Sequence, residues 1–136
     1  MIHEEICTYE VAKLAKEKGF NWICLHYFRT KNKDLFRVFP CEDWSNIEDR
    51  INAPTQSLLQ RWLREEKGIV IDVVLDWEYN VSIDIEKILY QYRIGSIDEM
   101  TIEGGIKTKG LVFDKRFTTY ELALSDALKY ALENLV

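Results

Sequence analysis

A helix pattern that ends at a glycine and continues directly into a strand pattern constrains this chain more than any other segment. From about Pro54 to Lys67 the apolar residues lie on one stripe, and Gly68 ends the pattern. Pro54 suits the first helical turn, where its missing N–H costs nothing. Residues 69–77 then alternate, which is typical of a strand with one solvated face. The other face of that strand must be buried, so we expect a helix packed on an antiparallel sheet.

Two further amphipathic segments predict helices near the two ends of the chain. The first covers residues 8–18, with Thr8 as the N-cap and Gly19 as the left-handed stop. The second begins at a capping box, Thr118-x-x-Glu121, and runs to the end of the chain. Its expected apolar face is formed by Tyr120, Leu124, Ala127, Leu128, Ala131 and Leu135.

The other apolar runs predict strands. The predicted strands cover residues 21–29, 35–39, 69–77, 79–85, 90–94 and 111–113, and the last of them could continue to Phe117. The first two form a hairpin that we expect Pro40 to end, because proline cannot donate to a central ladder. Residues 41–53 are predicted to be a loop with a short turn. Residues 95–110 lack periodicity and are predicted to be a long, mobile connection or an irregular hairpin.

Together these elements predict a single α+β domain covering residues 1–136. We expect an antiparallel sheet of about five to six strands, with three helices packed on it, in the order α-β-β-α-β-β-β-β-α. A chain of 136 residues has the usual length of one domain.

Composition indicates a cytoplasmic protein that does not enter the membrane. The chain is 30% charged, and no apolar run approaches the length of a membrane span. The start of the sequence, residues 1–5, is too polar for a secretory signal. Cys7, Cys24 and Cys41 are an odd set without a close pair, as expected for free thiols in a reducing compartment.

The charge is distributed unevenly along the chain. Residues 1–68 hold 11 basic and 11 acidic residues, whereas residues 69–136 hold 7 basic and 12 acidic residues and so carry the whole net charge of −5. Nucleic-acid binding depends on clustered basic groups that neutralise phosphates. A broad nucleic-acid surface is therefore disfavoured, and only a local basic patch in the first half is compatible with one.

The sequence predicts no metal site, cofactor or catalytic residue. Phosphate-binding glycine loops and nucleophile elbows are absent from the sequence. Cys24 and His26 could share a strand face, but a small buried thiol beside a histidine is favoured over a metal pair or a catalytic dyad. Asp72, Asp76 and Asp84 could hold a divalent cation of a nuclease, yet carboxylates on a solvated face are the favoured interpretation.

Seven residues are candidates for contact with a partner. On the 54–67 helix, Trp62 completes the apolar stripe, whereas the polar residues of other faces could bind a protein or a nucleic acid. The chain is 12% aromatic, and tyrosines left exposed are favoured at interfaces, with a larger core as the alternative. The candidates are Gln56, Gln60, Arg61, Arg64, Tyr27, Tyr90 and Tyr92.

The chain also resembles a known family. The segment Gln56-Ser57-Leu58-Leu59-Gln60-Arg61-Trp62-Leu63-Arg64, the alternating strands after it and the closing Thr119-Tyr120-Glu121-Leu122-Ala123-Leu124 helix are similar to a family of small uncharacterised proteins of gut Bacteroidetes and their phages and prophages. The resemblance covers most of the chain. The resemblance implies a setting in gut Bacteroidetes or their phages. It implies no activity, because none is attached to the family.

Two functional hypotheses follow. The first is a non-enzymatic protein-binding or accessory protein of phage or prophage origin, whose partner is an unknown protein. The alternative is a nucleic-acid-associated protein that uses the helix carrying Arg61 and Arg64. An enzyme comes third, because no catalytic motif supports it.

Overall fold

The structure, a computed structural model, describes residues 4–44, 46–75, 89–96 and 115–136. Three helices lie in these ranges: α1 (Tyr9–Glu17), α2 (Gln56–Lys67) and α3 (Tyr120–Asn134). The five strands are β1 (Cys24–Arg29), β2 (Leu35–Glu42), β3 (Arg50–Asn52), β4 (Ile69–Leu75) and β5 (Tyr90–Ser96). The predicted α+β class is confirmed, and so are the three predicted helices.

A threonine begins each helix. The hydroxyl oxygens of Thr8, Thr55 and Thr119 accept hydrogen bonds from backbone N–H groups in the first turn, at 3.3, 3.2 and 3.1 Å. Such caps satisfy N–H groups that have no partner inside the helix. The cap at Thr8 was predicted. The capping box at Thr118 was wrong by one residue, and Pro54 precedes the α2 cap instead of lying in the first turn.

Gly68 ends α2 as predicted, in the left-handed conformation with φ +66°. Glycine adopts this conformation without the steric cost that a Cβ imposes. The very next residue, Ile69, begins β4. The glycine therefore makes the abrupt change of direction that lays α2 against the sheet that it leads into.

The first sheet has the order β2-β1-β3, with antiparallel pairing throughout. Two expectations fail here. β3 lies inside residues 41–53, where a loop was predicted, and it pairs Asn52 with Tyr27 of β1. β2 continues through Pro40 instead of ending there, and this is possible because β2 is an edge strand. The register of the β1–β2 pair also shifts between Cys24 and His26, so Pro40 lies in an irregular part of the ladder.

The second sheet is the antiparallel pair β4–β5, with Ile69 opposite Ser96 and Leu75 opposite Tyr90. The described strands thus form two small sheets, and the expected single sheet of five to six strands is not confirmed. The predicted strand at residues 79–85 and the connection at 95–110 lie outside the described residues, apart from Gly95 and Ser96 at the end of β5. The predicted strand at 111–113 also lies outside the described residues, whereas Phe117, to which it could continue, exchanges two backbone hydrogen bonds of 2.9 Å with Tyr90.

Helix α3 lies at the centre of the fold and contacts α1, α2, β4 and β5. Its buried face consists of Ala123, Leu124, Ala127, Leu128, Ala131 and Leu132. Small alanine side chains let neighbouring elements approach closely. The expected face was wrong at its two ends, since Tyr120 and Leu135 are exposed. None of the helices in the described ranges combines the length and the apolarity that a membrane crossing requires.

Candidate binding groove between α2 and β1

A groove of about 780 Å³ lies between α2 and the start of β1. A volume of this size falls within the range of ligand-binding clefts. We call it the α2–β1 groove. Its lining residues with a bearing on binding are Glu4, Ile23, Leu25, His26, Arg37, Ser57, Leu58, Gln60, Arg61 and Arg64.

One wall of the groove is a face of α2. Arg61 and Arg64 are three residues apart, so their side chains lie side by side on the helix surface. Arg61 donates to Glu65 at 2.8 Å, and its guanidinium lies 5.9 Å from the centre of the Trp22 ring. Both members of this ion pair are about half exposed, so water screens the pair and its net contribution to stability is small.

The opposite wall carries exposed aliphatic side chains. Ile23 is 62% exposed and Leu25 is 41% exposed, whereas Cys24 between them is buried. This alternation places Ile23 and Leu25 on the same side of the chain. Leu58 of α2, which packs partly against the core, adds a third aliphatic side chain to the lining.

His26 and Arg37 extend the basic lining onto the first sheet, where they are opposite each other in the β1–β2 register. Burial lowers the pKa of His26 below its usual 6.5, and the positive charge of Arg37 lowers it further. The imidazole is therefore neutral at pH 7, and the permanent positive charges of the groove are those of Arg37, Arg61 and Arg64.

Glu4 is the acidic residue of the lining and lies at the other end of the α2 face. Its carboxylate accepts a hydrogen bond of 3.2 Å from the hydroxyl of Ser57 in the first turn of α2. The helix dipole favours an anion at this end. The groove is therefore polarised, with its acidic group at the start of α2 and its arginines further along the helix.

The two candidate glutamines hold the fold together. Gln56 is buried, and its amide donates to the carbonyl of Glu121 in α3 at 2.9 Å. Gln60 donates to the carbonyl of Ile71 in β4 at 2.8 Å. Only Gln60 lines the groove, and its amide nitrogen is already bonded. Both residues therefore position α2 against its neighbours.

The candidate tyrosines lie away from the groove. Tyr27 is 4% exposed and stacks on Phe36, with ring centres 5.5 Å apart. Tyr92 is 1% exposed, and its hydroxyl donates to the carboxylate of Asp126 at 2.8 Å. Tyr90 is half-buried and meets the Tyr120 ring edge-on. The alternative explanation of the aromatic content, a larger core, describes Tyr27 and Tyr92, and neither side chain can reach a partner in this structure.

Two of the three thiols lie in the interior of the protein. Cys7 and Cys24 are buried and not joined in a disulfide, and burial is the main reason why the pKa of the Cys7 thiol is raised far above its usual value. A thiol that stays protonated is a poor nucleophile and a poor metal ligand. In the described ranges, no three side chains of histidine, cysteine, aspartate or glutamate form a metal-binding group.

Of the three aspartates considered for a cation, Asp72 lies on β4 and pairs with Arg93 of β5 at 2.8 Å. Asp76 and Asp84 lie outside the described residues. Asp72 thus has a cross-strand partner of opposite charge, as expected for a solvated sheet face.

A second, smaller cavity of about 400 Å³ lies between α1 and α3. Its charged groups have partners: Glu10 with Lys129 at 3.6 Å, and Asp126 with both Tyr92 and Lys115. The α2–β1 groove is larger than this cavity and combines three arginines with exposed aliphatic side chains, so it is the better candidate site.

The sequence indicated one wall of the groove and missed the other. The pair Arg61 and Arg64 was recognised from the helical period. Ile23 and Leu25 were placed in a buried strand, because apolar residues occupy both faces of that run. Nothing in the sequence indicated Arg37 as a groove residue, since its approach to His26 depends on strand register.

Comparison with known protein families, curated proteins and solved structures found no match to this chain.

Proposed function

We propose that this protein is a non-enzymatic interaction module that binds a segment of a partner protein in the α2–β1 groove. The observation that supports this most is the pair of exposed aliphatic side chains, Ile23 and Leu25, which line the same groove as Arg61 and Arg64. Apolar side chains exposed next to arginines are typical of protein-binding surfaces. We also propose a cytoplasmic location, which the reduced thiols of Cys7 and Cys24 support.

The alternative, a nucleic-acid-associated protein, is favoured by one observation, namely that Arg37, Arg61 and Arg64 share the groove. One observation weighs against it. A nucleic acid extends beyond a short groove and would meet the surface of a chain with a net charge of −5.

Capture from a lysate of the source cells tests the proposal when it compares three forms of the protein. The forms are wild type, the groove variant Arg61→Glu/Arg64→Glu, and the control Lys13→Glu/Lys31→Glu, which makes the same charge change at exposed sites outside the groove. Nuclease is added throughout. We expect proteins that wild type and control retain and that the groove variant loses, and equal retention by all three forms would overturn the proposal.

A direct binding assay distinguishes the nucleic-acid alternative from the proposed protein-binding function. Labelled single- and double-stranded DNA and RNA are titrated with the protein at about 50 mM and about 200 mM salt. We expect no binding at either salt concentration. Binding at the lower concentration that is lost steeply at the higher one, and that the groove variant abolishes, would establish the nucleic-acid function instead.

The resemblance to the Bacteroidetes and phage family adds an origin to the proposal. If the protein is an accessory factor of a phage or prophage, its partner is a host or phage protein made during growth of the virus. Capture from uninfected and prophage-induced cells then separates the two. A partner found only after induction supports a phage-specific role, and identical partners in both samples contradict it.

A further inference from the structure

We infer that the segment bound in the α2–β1 groove is a short extended peptide in which carboxylates alternate with aliphatic side chains. The inference rests on the proposed function and specifies its partner. It is based on three properties of the groove: its charge, its length and the spacing of side chains on its two walls.

The charge of the groove is opposite to that of the molecule. Three arginines line it against one carboxylate, that of Glu4, whereas the whole chain carries −5. An acidic segment is therefore attracted to this groove and repelled by the molecule as a whole, so charge directs where it docks.

Glu4 and Arg61 already have partners within the protein, yet the end of the groove that carries the arginines can still accept an anion. Glu4 is hydrogen-bonded to Ser57 at the start of α2. Arg61 does have a partner, Glu65, but this pair is exposed on the helix surface. Because such pairs contribute at most about 1 kcal/mol, a peptide carboxylate can share or replace Glu65 at little cost.

The length of the groove limits how much peptide it contacts. Its α2 wall extends from Ser57 to Arg64, which at 1.5 Å per residue is about 10 Å of helix. An extended peptide covers this distance with about three to four residues at roughly 3.3 Å each. The groove thus recognises a short linear segment.

The spacing on the two walls matches the two faces of an extended peptide. Side chains of such a peptide point alternately to opposite sides, with those on one side roughly 6.6 Å apart. Ile23 and Leu25 have the same two-residue spacing along their own chain, and helix positions three apart, such as Arg61 and Arg64, are about 5–6 Å apart. Aliphatic side chains on one side of the peptide therefore meet β1, while carboxylates on the other side meet α2.

Synthetic peptides of about six residues test this inference by fluorescence anisotropy. The probes are a labelled peptide of alternating Glu and Leu, a peptide of alternating Lys and Leu, and a peptide of alternating Glu and Gly. We expect the Glu–Leu peptide to bind best, the Glu–Gly peptide to bind more weakly, and the Lys–Leu peptide not to bind.

Variants locate the binding. Arg61→Glu/Arg64→Glu should weaken the Glu–Leu peptide by roughly tenfold or more, since two attractive exposed pairs become repulsive. The charge-matched control Lys13→Glu/Lys31→Glu should change it by less than about twofold. Ile23→Ser/Leu25→Ser should remove the preference for Leu over Gly, whereas Leu35→Ser, at an exposed site of the same sheet outside the groove, should keep it. Circular dichroism confirms that each variant is folded. If Arg61→Glu/Arg64→Glu is not folded, the milder Arg61→Gln/Arg64→Gln takes its place.

The outcomes separate this inference from the proposed function. Binding of the Glu–Leu peptide that depends on both walls supports the inference. The inference is overturned if the Lys–Leu peptide also binds, or if the Glu–Leu peptide does not bind at about 1 mM. The proposed function survives that result when partner capture from the lysate still depends on Arg61 and Arg64, and it fails with the inference when capture does not.

Discussion

The protonation state of His26 affects both the stability of the folded protein and the charge of the α2–β1 groove. It is half-buried in β1, opposite Arg37 on β2. Burial and the neighbouring guanidinium both disfavour the imidazolium, so the pKa in the folded protein is below 6.5. The neutral ring adds no charge to the groove at pH 7.

This lowered pKa predicts a pH dependence of stability. In the unfolded chain His26 binds its proton near pH 6.5, whereas the folded protein binds it only at lower pH. As the pH falls below about 6.5 the unfolded state holds more protons, so the free energy of unfolding decreases. Urea denaturation of wild type and His26→Gln between about pH 7.5 and pH 5 measures this contribution. We expect wild type to lose more stability than the variant over this interval, and parallel profiles would contradict the assignment.

Single residues also show why burial is hard to predict for amphipathic side chains. Tyr27, Tyr92 and Gln56 were candidates for partner contact, yet all three are buried with partners for their rings or polar atoms. A tyrosine has an apolar ring and a polar hydroxyl, and it suits a core when a group such as Asp126 accepts a hydrogen bond from that hydroxyl. That acceptor comes from α3, more than 30 residues away in sequence, so the local pattern could not reveal it.

At the scale of elements, helix boundaries depend on single hydrogen bonds. Two adjacent threonines precede α3, and the spacing of Thr118 to Glu121 suits a capping box. In the structure it is the hydroxyl of Thr119 that accepts from the N–H of Leu122. Phe117, two residues before this cap, is bridged to Tyr90 of β5.

The two threonines therefore form a matched pair for mutation. Thr119→Ala removes the cap and should lower the free energy of unfolding by about 1 kcal/mol. Thr118→Ala, at an exposed site one residue earlier, should change it by less than about 0.5 kcal/mol. Chemical denaturation of both variants measures the difference. A larger loss for Thr118→Ala would place the cap one residue earlier, as the capping box predicts.

Strands were less predictable than helices. The alternation of residues 69–77 located β4 because it records one buried and one less buried face. The three residues of β3 are too few for any periodicity, and their strand character comes from pairing with β1. β2 likewise contains Pro40, which only an edge position tolerates, and edge position is a property of the sheet.

At the scale of the whole molecule, α3 joins the parts of the structure. It contacts both other helices and the second sheet through a face that is mainly alanine and leucine. Ala123, Ala127 and Ala131 are fully buried, so the neighbouring elements pack close to the helix backbone.

Enlarging this face should therefore destabilise the protein. Ala127→Leu inserts three carbon atoms into a packed core, and we expect it to lower the free energy of unfolding by about 1–3 kcal/mol. Glu133→Leu places the same side chain on the exposed face of the same helix and should change stability by less than about 0.5 kcal/mol. Thermal and urea denaturation compare the two. Equal effects would show that the neighbours of α3 have room for a larger residue.

The sequence by itself determined the α+β class, the three helices and the alternation of β4, because periodicity and capping act within about a dozen residues. Tertiary structure alone decided that the described strands form two sheets, that Tyr27 and Tyr92 are buried, and that the groove combines α2 with Ile23, Leu25 and Arg37. These features depend on contacts between segments distant in sequence. The free energy of such contacts comes from packing and desolvation in the assembled fold, so a local pattern carries no record of them.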